Sequence, residues 1–570
     1  MITNLTEYGV MTVTNACAAG VHALARRMAA IGGVLAALVV TPAPAAPALP
    51  DVRSYPELND LQLGHLRFIL NLASQKDNDW SRMDSDEPGQ GGFDAYRYQL
   101  AMMSYALNLA NYRYTPAYRE LYQAGSERLI AKMLRPDVWN FWEMTSRGVK
   151  QFDPDLVKLS EGWRDPVIRQ NVMYSGHLFQ MVNTYAMLYD SDKYEQPASL
   201  KFVYDPVGRG LGKEEFDYDA VKLAKVLRDQ FLDSGWSGIE CEPNAVFPEC
   251  NQHPILGFKL FDLRHGTAYF EEVSRNYRQA FDAQNFLDPV TGSFMAYKLV
   301  KQGKVIQAEL PWSDGWSGVF MHGWAKQEVE GTYPALKKKY LAMQEDGSAV
   351  VAARKPTPFF SWNNGFFAVL AAEMGDVRTS TAMLAYADKH WNPTWVDGGL
   401  YYPRHGSDAT PAEDSVAGER PGRFVSRRVN VLTGNALLAL ARMDAKDGFY
   451  TLFNQPWGAD HFKQPYLTGV DYPTAYVTRA VFDGARQALI ATIKPSARPA
   501  FKAATTFSVA NLPVDTPLAV VVNGIALGPL TAARPAAAKR GISAVRRASR
   551  LTVTAPFGKP LDIIVQSSAQ

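Results

Sequence analysis

Two cysteines that lie close together in the chain are the residues whose type and spacing most directly suggest chemistry. Cys241 and Cys250 bound the stretch Cys-Glu-Pro-Asn-Ala-Val-Phe-Pro-Glu-Cys, in which one glutamate follows the first cysteine and another precedes the second. Thiols beside carboxylates can exchange protons with a substrate, because burial and neighbouring charges move the pKa values of such groups apart. The same pair also suits a small disulfide loop, which an oxidising compartment favours. The residues alone leave both interpretations open.

A histidine lies in a second segment, Asn-Val-Met-Tyr-Ser-Gly-His, whose pattern predicts the start of a helix. Tyr174 and His177 are spaced so that a helix places them about one turn apart on the same face. An imidazole beside a phenol can donate or accept a proton near neutral pH. The alternative is a histidine whose hydrogen bonds are satisfied inside a helix interface.

Two aromatic segments are candidates for the wall of a cavity. The first, Pro-Trp-Ser-Asp-Gly-Trp at residues 311–316, holds two tryptophans and Asp314. We expect it to form a loop at a cavity rim. The second, residues 358–367, is apolar enough to line a pocket, and core packing explains it equally well.

The sequence gives little support for a metal, dinucleotide or phosphate site. The nine histidines are dispersed, and neither His-x-x-x-His nor Cys-x-x-Cys spacing occurs. Cys241, Cys250 and His253 are conceivable metal ligands, but they lack a fourth partner. The glycines of residues 208–212 lack a preceding strand and the spacing of a phosphate loop. We therefore expect no cofactor.

Overall composition limits the class of partner. The chain is 47% hydrophobic and 20% charged with a net charge of +2, as in ordinary globular proteins. It has no basic run with interleaved aromatics, so a nucleic-acid partner is not expected.

The N-terminal segment reads as an export signal. Arg26 and Arg27 precede an apolar run, residues 28–40, which small residues such as Ala43 and Ala45 follow. The run is shorter than the roughly 20 residues that a membrane-spanning helix needs. We predict a signal peptide over residues 1–48, no stable membrane span, and a periplasmic or secreted protein.

The elements that must position these groups are helices from Leu58 to about Met443. Apolar residues recur there at spacings of three and four, and strand-like runs are scarce. Helical hairpins without heptads indicate a ring or bundle, and their number suits an (α/α)6 barrel over residues 49–455. The clearest predicted helices are Phe93–Tyr112, Pro116–Leu134, Val172–Tyr189, Phe216–Leu232, Ile255–Leu263, Ala268–Phe281, Trp316–Val329, Phe359–Met374, Thr379–Trp391 and Val429–Met443.

The C-terminal region has a different pattern. Residues 496–570 alternate between apolar and polar types, favour β-branched residues and contain turn signals such as Asn523-Gly524. They predict a small β-sandwich-like domain, joined to the helical region by a linker over residues 456–495. Since the domain shows no nucleophile or metal cluster, we expect an accessory role.

Several of these segments, taken in order, resemble the linalool dehydratase/isomerase family. The resemblance extends from about residue 60 to 445 and is strongest between residues 170 and 300. The segments that carry it are residues 171–178, 238–251, 261–269, 286–289 and 292–294.

The resemblance implies a fold and an activity. The fold is a mostly α-helical (α/α)6 barrel whose subunits assemble into a homo-oligomeric ring. The activity is cofactor-free acid–base chemistry on a small apolar alcohol, a monoterpenoid allylic alcohol such as linalool or geraniol. The enzyme would be a hydro-lyase (dehydratase), an intramolecular hydroxyl-transferring isomerase, or both.

The resemblance also implies site residues. Both cysteines of the pattern and the histidine of the Met-Tyr-x-Gly-His segment lie in the family's active site, which makes Cys241, Cys250 and His177 the catalytic candidates. Residues for substrate binding follow from the pocket positions of the family and from the segment around the histidine. They are Met173, Tyr174, Glu242, Phe247 and Trp316, the last at a position where the family places a tyrosine.

The chain departs from the family near its N-terminus. The family supplies an aspartate and a tyrosine there, which reach the site of a neighbouring subunit. This sequence has Leu70 and Lys76 at the aligned positions. Asp77, Asp79 or Asp84 are candidates to replace the missing carboxylate.

Two other classes of function remain open from the sequence. One is an exported glycan lyase or hydrolase, in which Asn171, Tyr174 and His177 neutralise a uronate and abstract its proton. The other is a non-catalytic binding protein in which Cys241 and Cys250 form a disulfide.

Overall fold

The chain is mostly helical. A computed structural model describes residues 49–83, 90, 94–206, 208, 212–354, 360–403, 415–418, 421–426, 429–496 and 503–567, so the expected signal peptide and Asp84 lie outside the described residues. A 3₁₀-helix spans Val52–Ser54 and a π-helical turn spans Thr433–Leu437. The α-helices are α1 (Asp60–Ala73), α2 (Tyr96–Tyr114), α3 (Glu120–Met133), α4 (Pro136–Trp139), α5 (Trp142–Thr145), α6 (Val172–Tyr189), α7 (Ala220–Asp233), α8 (Pro248–His265), α9 (Tyr269–Ala283), α10 (Pro311–His322), α11 (Lys326–Tyr340), α12 (Phe360–Glu373), α13 (Val377–His390), α14 (Leu438–Met443), α15 (Gly448–Asn454) and α16 (Ala459–Lys463).

Six of the described helices pack in a closed order. Helix α2 packs against α6, α6 against α8, α8 against α10, α10 against α12, α12 against α14, and α14 back against α2. A second set lies outside this ring, with α3 on α2 and α6, α7 on α6, α9 on α8, α11 on α10, and α13 on α12. All of α6 is buried, whereas α7 and α9 bury only one apolar stripe. This is the burial expected of inner and outer layers.

Helix α8 begins earlier than the sequence predicts, and this places Cys250 on a helix. The predicted start was Ile255, and the residue before it, Pro254, is of a type that usually breaks helices. The structure begins α8 at Pro248, in the first position where proline is tolerated, and ends it before Gly266, whose φ of 64° is left-handed. Pro254 lies inside the helix and removes the N–H that would bond the carbonyl of Cys250.

The segment predicted as an aromatic loop is also helical. Pro311 is the first residue of α10, so both tryptophans and Asp314 lie on one helix and not on a rim loop. The single predicted helix Trp316–Val329 is two helices, α10 and α11. They separate at Gly323, where a Cβ would come within 2.7 Å of Leu256.

Strands are more frequent in the helical region than the sequence predicts. They form short antiparallel sheets between the helices, and Phe216, predicted to begin a helix, lies in one of them. These strands are β1 (Leu200–Tyr204), β2 (Glu214–Tyr218), β3 (Ala245–Val246), β4 (Tyr297–Leu299), β5 (Lys304–Ile306), β6 (Leu341–Met343), β7 (Ala349–Val351), β8 (Thr394–Val396), β9 (Gly399–Tyr401), β10 (Ser415–Ala417) and β11 (Phe424–Ser426).

The C-terminal strands form two five-stranded antiparallel sheets. One has the order β12-β15-β20-β19-β18 and the other β13-β14-β21-β16-β17. The predicted linker, residues 456–495, is largely structured: it holds α16 and three of these strands, so the sheets begin at Tyr466. The strands are β12 (Tyr466–Thr468), β13 (Ala475–Asp483), β14 (Ala488–Pro495), β15 (Ala504–Ala510), β16 (Leu518–Val522), β17 (Ile525–Leu530), β18 (Ala536–Lys539), β19 (Ile542–Arg547), β20 (Arg550–Pro556) and β21 (Leu561–Ser567).

Two glycines let α6 and α8 approach closely. A Cβ on Gly176 would lie 2.8 Å from Cδ of Pro254, and one on Gly257 would lie 2.4 Å from the ring of Phe179. Real Cβ contacts are not this short, so a larger residue would push the helices apart. The close approach brings His177 of α6 next to the residues of α8. Among the described residues, no helix is long and apolar enough to cross a membrane.

Candidate active site

The loop before α8 is tied to the first turn of that helix by one asparagine. Asn251 accepts a hydrogen bond from the backbone N–H of Ile239 at 2.8 Å and donates to its carbonyl at 3.0 Å. The same amide donates to the carbonyl of Phe247 at 2.9 Å. These bonds fix the loop that carries Cys241 against the helix that carries Cys250.

A tight turn orients Cys241. Its backbone N–H donates to the carbonyl of Ala245 at 2.9 Å, and the N–H of Ala245 donates to the carbonyl of Glu242 at 2.9 Å. Asn244, at the bend, has a left-handed φ of 72°, a conformation that asparagine tolerates better than most residues.

The two cysteines are free thiols, and they lie together. Cys241 is 1% exposed and Cys250 is 5% exposed. Each thiol influences the pKa of the other, so the two side chains are neighbours. Burial raises the pKa of Cys250 to about 11 and that of Cys241 well above its usual range, so both thiols are protonated at neutral pH. They are therefore potential proton donors, and the structure contains no bridge between them.

Two carboxyl groups flank the thiols in sequence: Glu249 is buried, and Glu242 is partly exposed. Burial raises the pKa of Glu242 to about 7, and the charge of Arg97 opposes this rise. Its Oε2 atom is shielded from solvent and has no hydrogen-bond partner among the described residues. Burial raises the pKa of Glu249 to about 8, although its Oε2 accepts a hydrogen bond from Ser313 at 2.9 Å. Both groups therefore change protonation state near neutral pH.

Hydrogen bonds determine which nitrogen of His253 carries the proton. The indole N–H of Trp316 can only donate, and it lies 2.8 Å from His253 Nε2, so Nε2 is unprotonated. Burial lowers the pKa of His253 well below its usual value, so the ring is neutral. Its one proton is therefore on Nδ1, where Oε1 of Gln180 accepts it at 2.7 Å.

The same reasoning extends to His177 through Tyr105. The hydroxyl of Tyr105 lies 2.9 Å from His177 Nδ1 and 3.5 Å from His253 Nδ1. Because His253 Nδ1 already carries a proton, Tyr105 donates its own to His177. Burial lowers the pKa of His177 to about 3, so its ring is neutral and its proton is on Nε2. No described residue accepts from that N–H, which leaves it as a donor for the oxygen of a ligand.

Apolar and aromatic side chains surround these groups. Trp316 stacks on Phe366 with ring centroids 4.6 Å apart and meets Tyr98 edge-on at 5.5 Å. The hydroxyl of Tyr98 lies 3.2 Å from the sulfur of Met173. Met173 and His177 are one helical turn apart on α6, so both face this aromatic wall. Such surroundings exclude water and strengthen every electrostatic interaction within them.

Not every predicted site residue lies in this cluster. The hydroxyl of Tyr174 donates to the carbonyl of Met133 at 2.7 Å, so Tyr174 does not join His177 as the helix spacing predicted. Asn171 donates to the carbonyl of Pro166 at 2.8 Å. With both side chains bound to backbone carbonyls, the arrangement proposed for a uronate is not formed. Phe247 lies at the N-cap of α8 and packs against Phe152 and Tyr297.

Several members of the cluster were not identified from the sequence as site residues. His253 is three residues after Cys250, a spacing that would have placed both on one helix face had Pro254 not suggested a break. Tyr98 and Tyr105 are two turns apart on α2, so the helical period carried a signal for them as well. The conceivable ligand set of two cysteines and His253 is not open to a metal, because both nitrogens of His253 are already engaged.

The N-terminal departure from the family pattern has a structural counterpart. Leu70 is buried in α1, and Lys76 lies exposed just after that helix. Asp77 is exposed, and Asp79 accepts a hydrogen bond from the backbone of Ser81. The described aspartates of this segment therefore lie in a surface loop of their own chain.

Comparisons with known proteins give one family and several distant structures. The solved structures include a GH76 α-mannanase from Bacteroides thetaiotaomicron, with a TM-score of 0.38 and 11% identity over 71% of this chain and 98% of that one. A GH76A α-1,6-mannanase from a Salegentibacter species has a TM-score of 0.37 and 12% identity over 69% and 99%. A GH127 β-L-arabinofuranosidase from Geobacillus stearothermophilus has a TM-score of 0.30 and 13% identity over 89% and 75%. These similarities are too low to bear on what this chain does.

The family comparison is more specific. The family model described as linalool dehydratase/isomerase matches residues 97–408, more than half of the chain. The matched range contains both thiols, His177, His253 and the aromatic wall. The chain belongs to the linalool dehydratase/isomerase family.

Proposed function

We propose that this chain dehydrates or isomerises an allylic alcohol of the linalool or geraniol type by acid–base chemistry without a cofactor. The observation that carries the proposal is the pair of buried free thiols, together with an imidazole N–H on the neighbouring helix α6 that has no partner among the described residues. Family membership supports the class of reaction.

The proposed reaction begins at the substrate hydroxyl. The N–H of His177 donates a hydrogen bond to the hydroxyl oxygen, and a thiol transfers its proton to the same oxygen. The carbon–oxygen bond then breaks and water leaves, with positive charge delocalised over the allyl group. An alkene forms when a base in the pocket removes a proton from a neighbouring carbon, and the isomeric alcohol forms when water adds back at the other end of the allyl group. In each case the enzyme regains the proton that it gave.

The apolar surroundings of the thiols support this chemistry. Met173 and Trp316 offer apolar surface of the kind that a terpenoid chain requires, and we assign Phe247 to the same wall near the first turn of α8. Protonated thiols and carboxyls whose pKa values lie near neutral can act as donor and acceptor in one site. The individual roles of Cys241 and Cys250 are part of this proposal.

We also propose the architecture and setting that the sequence predicted. The closed order of six helices suits the inner layer of an (α/α)6 barrel, and the two C-terminal sheets suit a β-sandwich with an accessory role. Export to the periplasm or beyond is proposed from the signal pattern of residues 1–48. A homo-oligomeric ring is proposed from the resemblance to the family.

The experiment that tests the function is incubation of the purified protein with linalool and with geraniol, followed by gas chromatography of the products. We expect an alkene, an isomeric alcohol, or both. No turnover of either alcohol under any buffer between pH 6 and pH 9 would contradict the proposal.

A second measurement separates the enzyme from a disulfide-linked binding protein. The unreduced protein is alkylated under denaturing conditions, and the peptide that contains Cys241 and Cys250 is weighed by mass spectrometry. We expect an alkyl group on each cysteine. A peptide that carries none and gains two only after reduction would favour the binding protein.

A further inference from the structure

A buried histidine that has no role in the proposed reaction has one nitrogen without a partner. His322 is the last residue of α10, and its side chain is fully buried. Its Nδ1 atom lies 2.6 Å from Oε1 of Glu373, the last residue of α12. Glu373 also accepts the backbone N–H groups of Phe449 and Tyr450, so its carboxylate is an acceptor and His322 Nδ1 carries the proton. In the neutral ring Nε2 then holds a lone pair, and no described residue donates to it.

Two carboxylates face this lone pair. Oδ1 of Asp447, just before α15, lies 3.7 Å from His322 Nε2, and Oε1 of Glu330 on α11 lies 4.0 Å from it. Neither distance is that of a hydrogen bond. A lone pair and two anionic oxygens repel one another, so the arrangement needs a cation between them. Among the residues that the structure describes, these are the only three histidine, cysteine or carboxylate side chains whose ligand atoms all lie within 4.8 Å of one another.

A lysine shows that a cation fits between the two carboxylates. Nζ of Lys326 pairs with the same Oδ1 of Asp447 and lies 3.2 Å from the same Oε1 of Glu330. An ammonium group has three N–H donors, yet none of them reaches His322 Nε2. The lysine therefore serves the two oxygens and leaves the imidazole unused. Its side chain is 26% exposed, so it can turn out to solvent and leave its position to another cation.

A divalent metal ion uses all three atoms. Zinc binds imidazole nitrogen and carboxylate oxygen at about 2.0–2.2 Å, which places two ligand atoms of a tetrahedral ion about 3.4 Å apart. The distances from His322 Nε2 to the two carboxylates exceed this by only about 0.3 to 0.6 Å. Glu373, behind the imidazole, supplies the carboxylate–histidine bond that orients ligating histidines in zinc sites. The side chain of Glu330 is 45% exposed, so an ion can enter from solvent and keep a water as its fourth ligand.

We propose that His322, Asp447 and Glu330 form a binding site for a divalent transition-metal ion of the zinc class, held by Nε2 of the histidine and one oxygen of each carboxylate. Binding displaces the ammonium group of Lys326 from the two carboxylates. Because the ligands come from α10, α11 and the start of α15, the ion joins three elements of the helical region. None of these residues belongs to the proposed reaction, so the inference does not depend on the proposed function.

The test titrates metal into the full-length protein after a chelator has removed bound ions. The affinity for Zn²⁺ is measured by competition with a chromophoric chelator, and Co²⁺ serves as a visible probe of the ligand set. We expect one Zn²⁺ per chain and a Co²⁺ spectrum without the intense near-ultraviolet bands that thiolate ligands produce. Thiolate bands would assign the ion to Cys241 and Cys250 and would overturn the proposal. A wild type that binds neither ion would overturn it as well.

The variant His322→Asn separates the ligand nitrogen from the fold. Its amide N–H takes the place of Nδ1–H toward Glu373, whereas nothing replaces Nε2. We expect His322→Asn and Asp447→Asn each to weaken Zn²⁺ binding at least about 100-fold, more than the loss of an orienting partner costs. The matched control is His265→Asn, because His265 Nε2 lies 3.6 Å from a single carboxylate, and it should leave the affinity unchanged. Equal affinity in the wild type and in folded His322→Asn would overturn the proposal.

The variant Lys326→Met should act in the opposite direction. Without the competing ammonium group, we expect Zn²⁺ to bind about fivefold more tightly, the equivalent of one partly exposed ion pair. Weaker binding in folded Lys326→Met would contradict the displacement of the lysine. Stability provides a second readout, because an ion that binds only the folded state stabilises it. Zn²⁺ should raise the urea midpoint of the wild type and leave that of Asp447→Asn unchanged, and an equal rise in both would overturn the proposal.

Discussion

Two clusters that share helix α10 differ in how many of their charged and polar groups have partners. Helix α10 carries Trp316 to the first cluster and, less than two turns later, His322 to the second. The first cluster, which we call the thiol pocket, consists of Cys241, Cys250, Glu242, Glu249, His177, His253 and Arg97. In the second cluster, His322 Nδ1 lies 2.6 Å from Oε1 of Glu373, and its Nε2 lies 3.7 Å from Asp447. Lys326 pairs with Asp447, and lies 3.2 Å from Glu330.

The second cluster satisfies the carboxylate of Glu373, although His322 Nε2 has no hydrogen-bond partner among the described residues. Besides His322, Glu373 accepts the backbone N–H groups of Phe449 at 2.8 Å and of Tyr450 at 3.0 Å. The thiol pocket instead leaves His177 Nε2, Glu242 Oε2 and Arg97 Nε without partners among the described residues. Buried polar groups are normally satisfied, so those that are not indicate where a ligand or a reaction belongs. The three such atoms of the thiol pocket support our proposal that it is the site, whereas the bonds of Glu373 and Lys326 join separate helices.

The largest effect is expected for Glu373→Ala, which tests the structural role of the second cluster. Glu373→Ala leaves His322 Nδ1–H and two backbone N–H groups without an acceptor, and each unsatisfied donor costs about 1–3 kcal/mol. We expect the free energy of unfolding, measured with urea, to fall by at least about 3 kcal/mol. The kcat of the folded fraction should stay within about threefold, because the cluster takes no part in the chemistry.

A control for Glu373 lies at the edge of the same cluster. Glu330→Gln removes an ion pair whose carboxylate side chain is 45% exposed. It should cost less than about 1 kcal/mol, as exposed pairs do. If Glu330→Gln proved as costly as Glu373→Ala, burial would not be what distinguishes the two.

The corresponding change in the thiol pocket is His177→Ala. It removes the N–H that we assign to the substrate hydroxyl, and the loss of one such donor typically lowers kcat about 10² to 10³-fold. Stability should fall by no more than for an ordinary core truncation. Retention of more than about a tenth of wild-type kcat would remove His177 from the reacting centre.

The dependence of stability on pH tests the raised pKa values of the carboxyl groups in the thiol pocket. Glu242 and Glu249 have pKa values of about 7 and about 8 in the folded protein, against a usual value of 4.5. Between these values the folded state binds more protons than the unfolded state. These two groups therefore lower the free energy of unfolding as pH rises from about 5 to about 8, by about 1.4 kcal/mol for each unit of pKa shift. The lowered pKa values of His177 and His253 act in the opposite sense below about pH 7.

The variant that tests this dependence is Glu249→Gln. The free energy of unfolding at pH 5 minus that at pH 8, measured with urea, should be smaller in Glu249→Gln than in the wild type, because one proton-binding group is gone. An equal or larger difference would show that Glu249 does not carry the raised pKa.

The smallest expected effect concerns which nitrogen of each buried imidazole ring carries the proton. Trp316→Phe removes the indole N–H that keeps Nε2 of His253 unprotonated, so Tyr105 is no longer obliged to donate to His177. We expect kcat to fall about tenfold, the equivalent of one hydrogen bond. Nitrogen NMR of the imidazole rings should show a mixture of tautomers. Trp324→Phe, which loses an indole bond of 2.8 Å to Gln252, is the matched control and should leave both readouts unchanged.

The fold and the candidate site differ in how much of each could be predicted from the sequence. Periodicity predicted most helices, and the C-terminal strands were predicted where β15, β16, β20 and β21 lie. The start of α8 was missed, because Pro254 is tolerated inside a helix where Gly176 on α6 makes room for its ring. Short strands such as β2 were missed, since residues of that kind also suit a helix.

Within the candidate site, sequence patterns predicted individual residues but not which residues contact each other. The cysteine pattern predicted Cys241 and Cys250 as candidates, and it gave no indication that Arg97, more than a hundred residues earlier, contacts Met173. Helix spacing wrongly joined Tyr174 to His177, because Tyr174 turns to the carbonyl of Met133. Such partners depend on contacts between helices that are distant in sequence, and the periodicity of a single helix carries no information about those contacts.

The most direct test of the central claim compares one variant from each cluster in the same assay. Initial rates of linalool turnover are measured for the wild type, Cys250→Ala and Lys326→Met, with folding checked by circular dichroism. We predict that Cys250→Ala lowers kcat by about 10² to 10⁴-fold, the usual contribution of an acid or base, and that Lys326→Met leaves it unchanged. Full activity in folded Cys250→Ala would contradict the assignment of the thiol pocket as the site of the reaction.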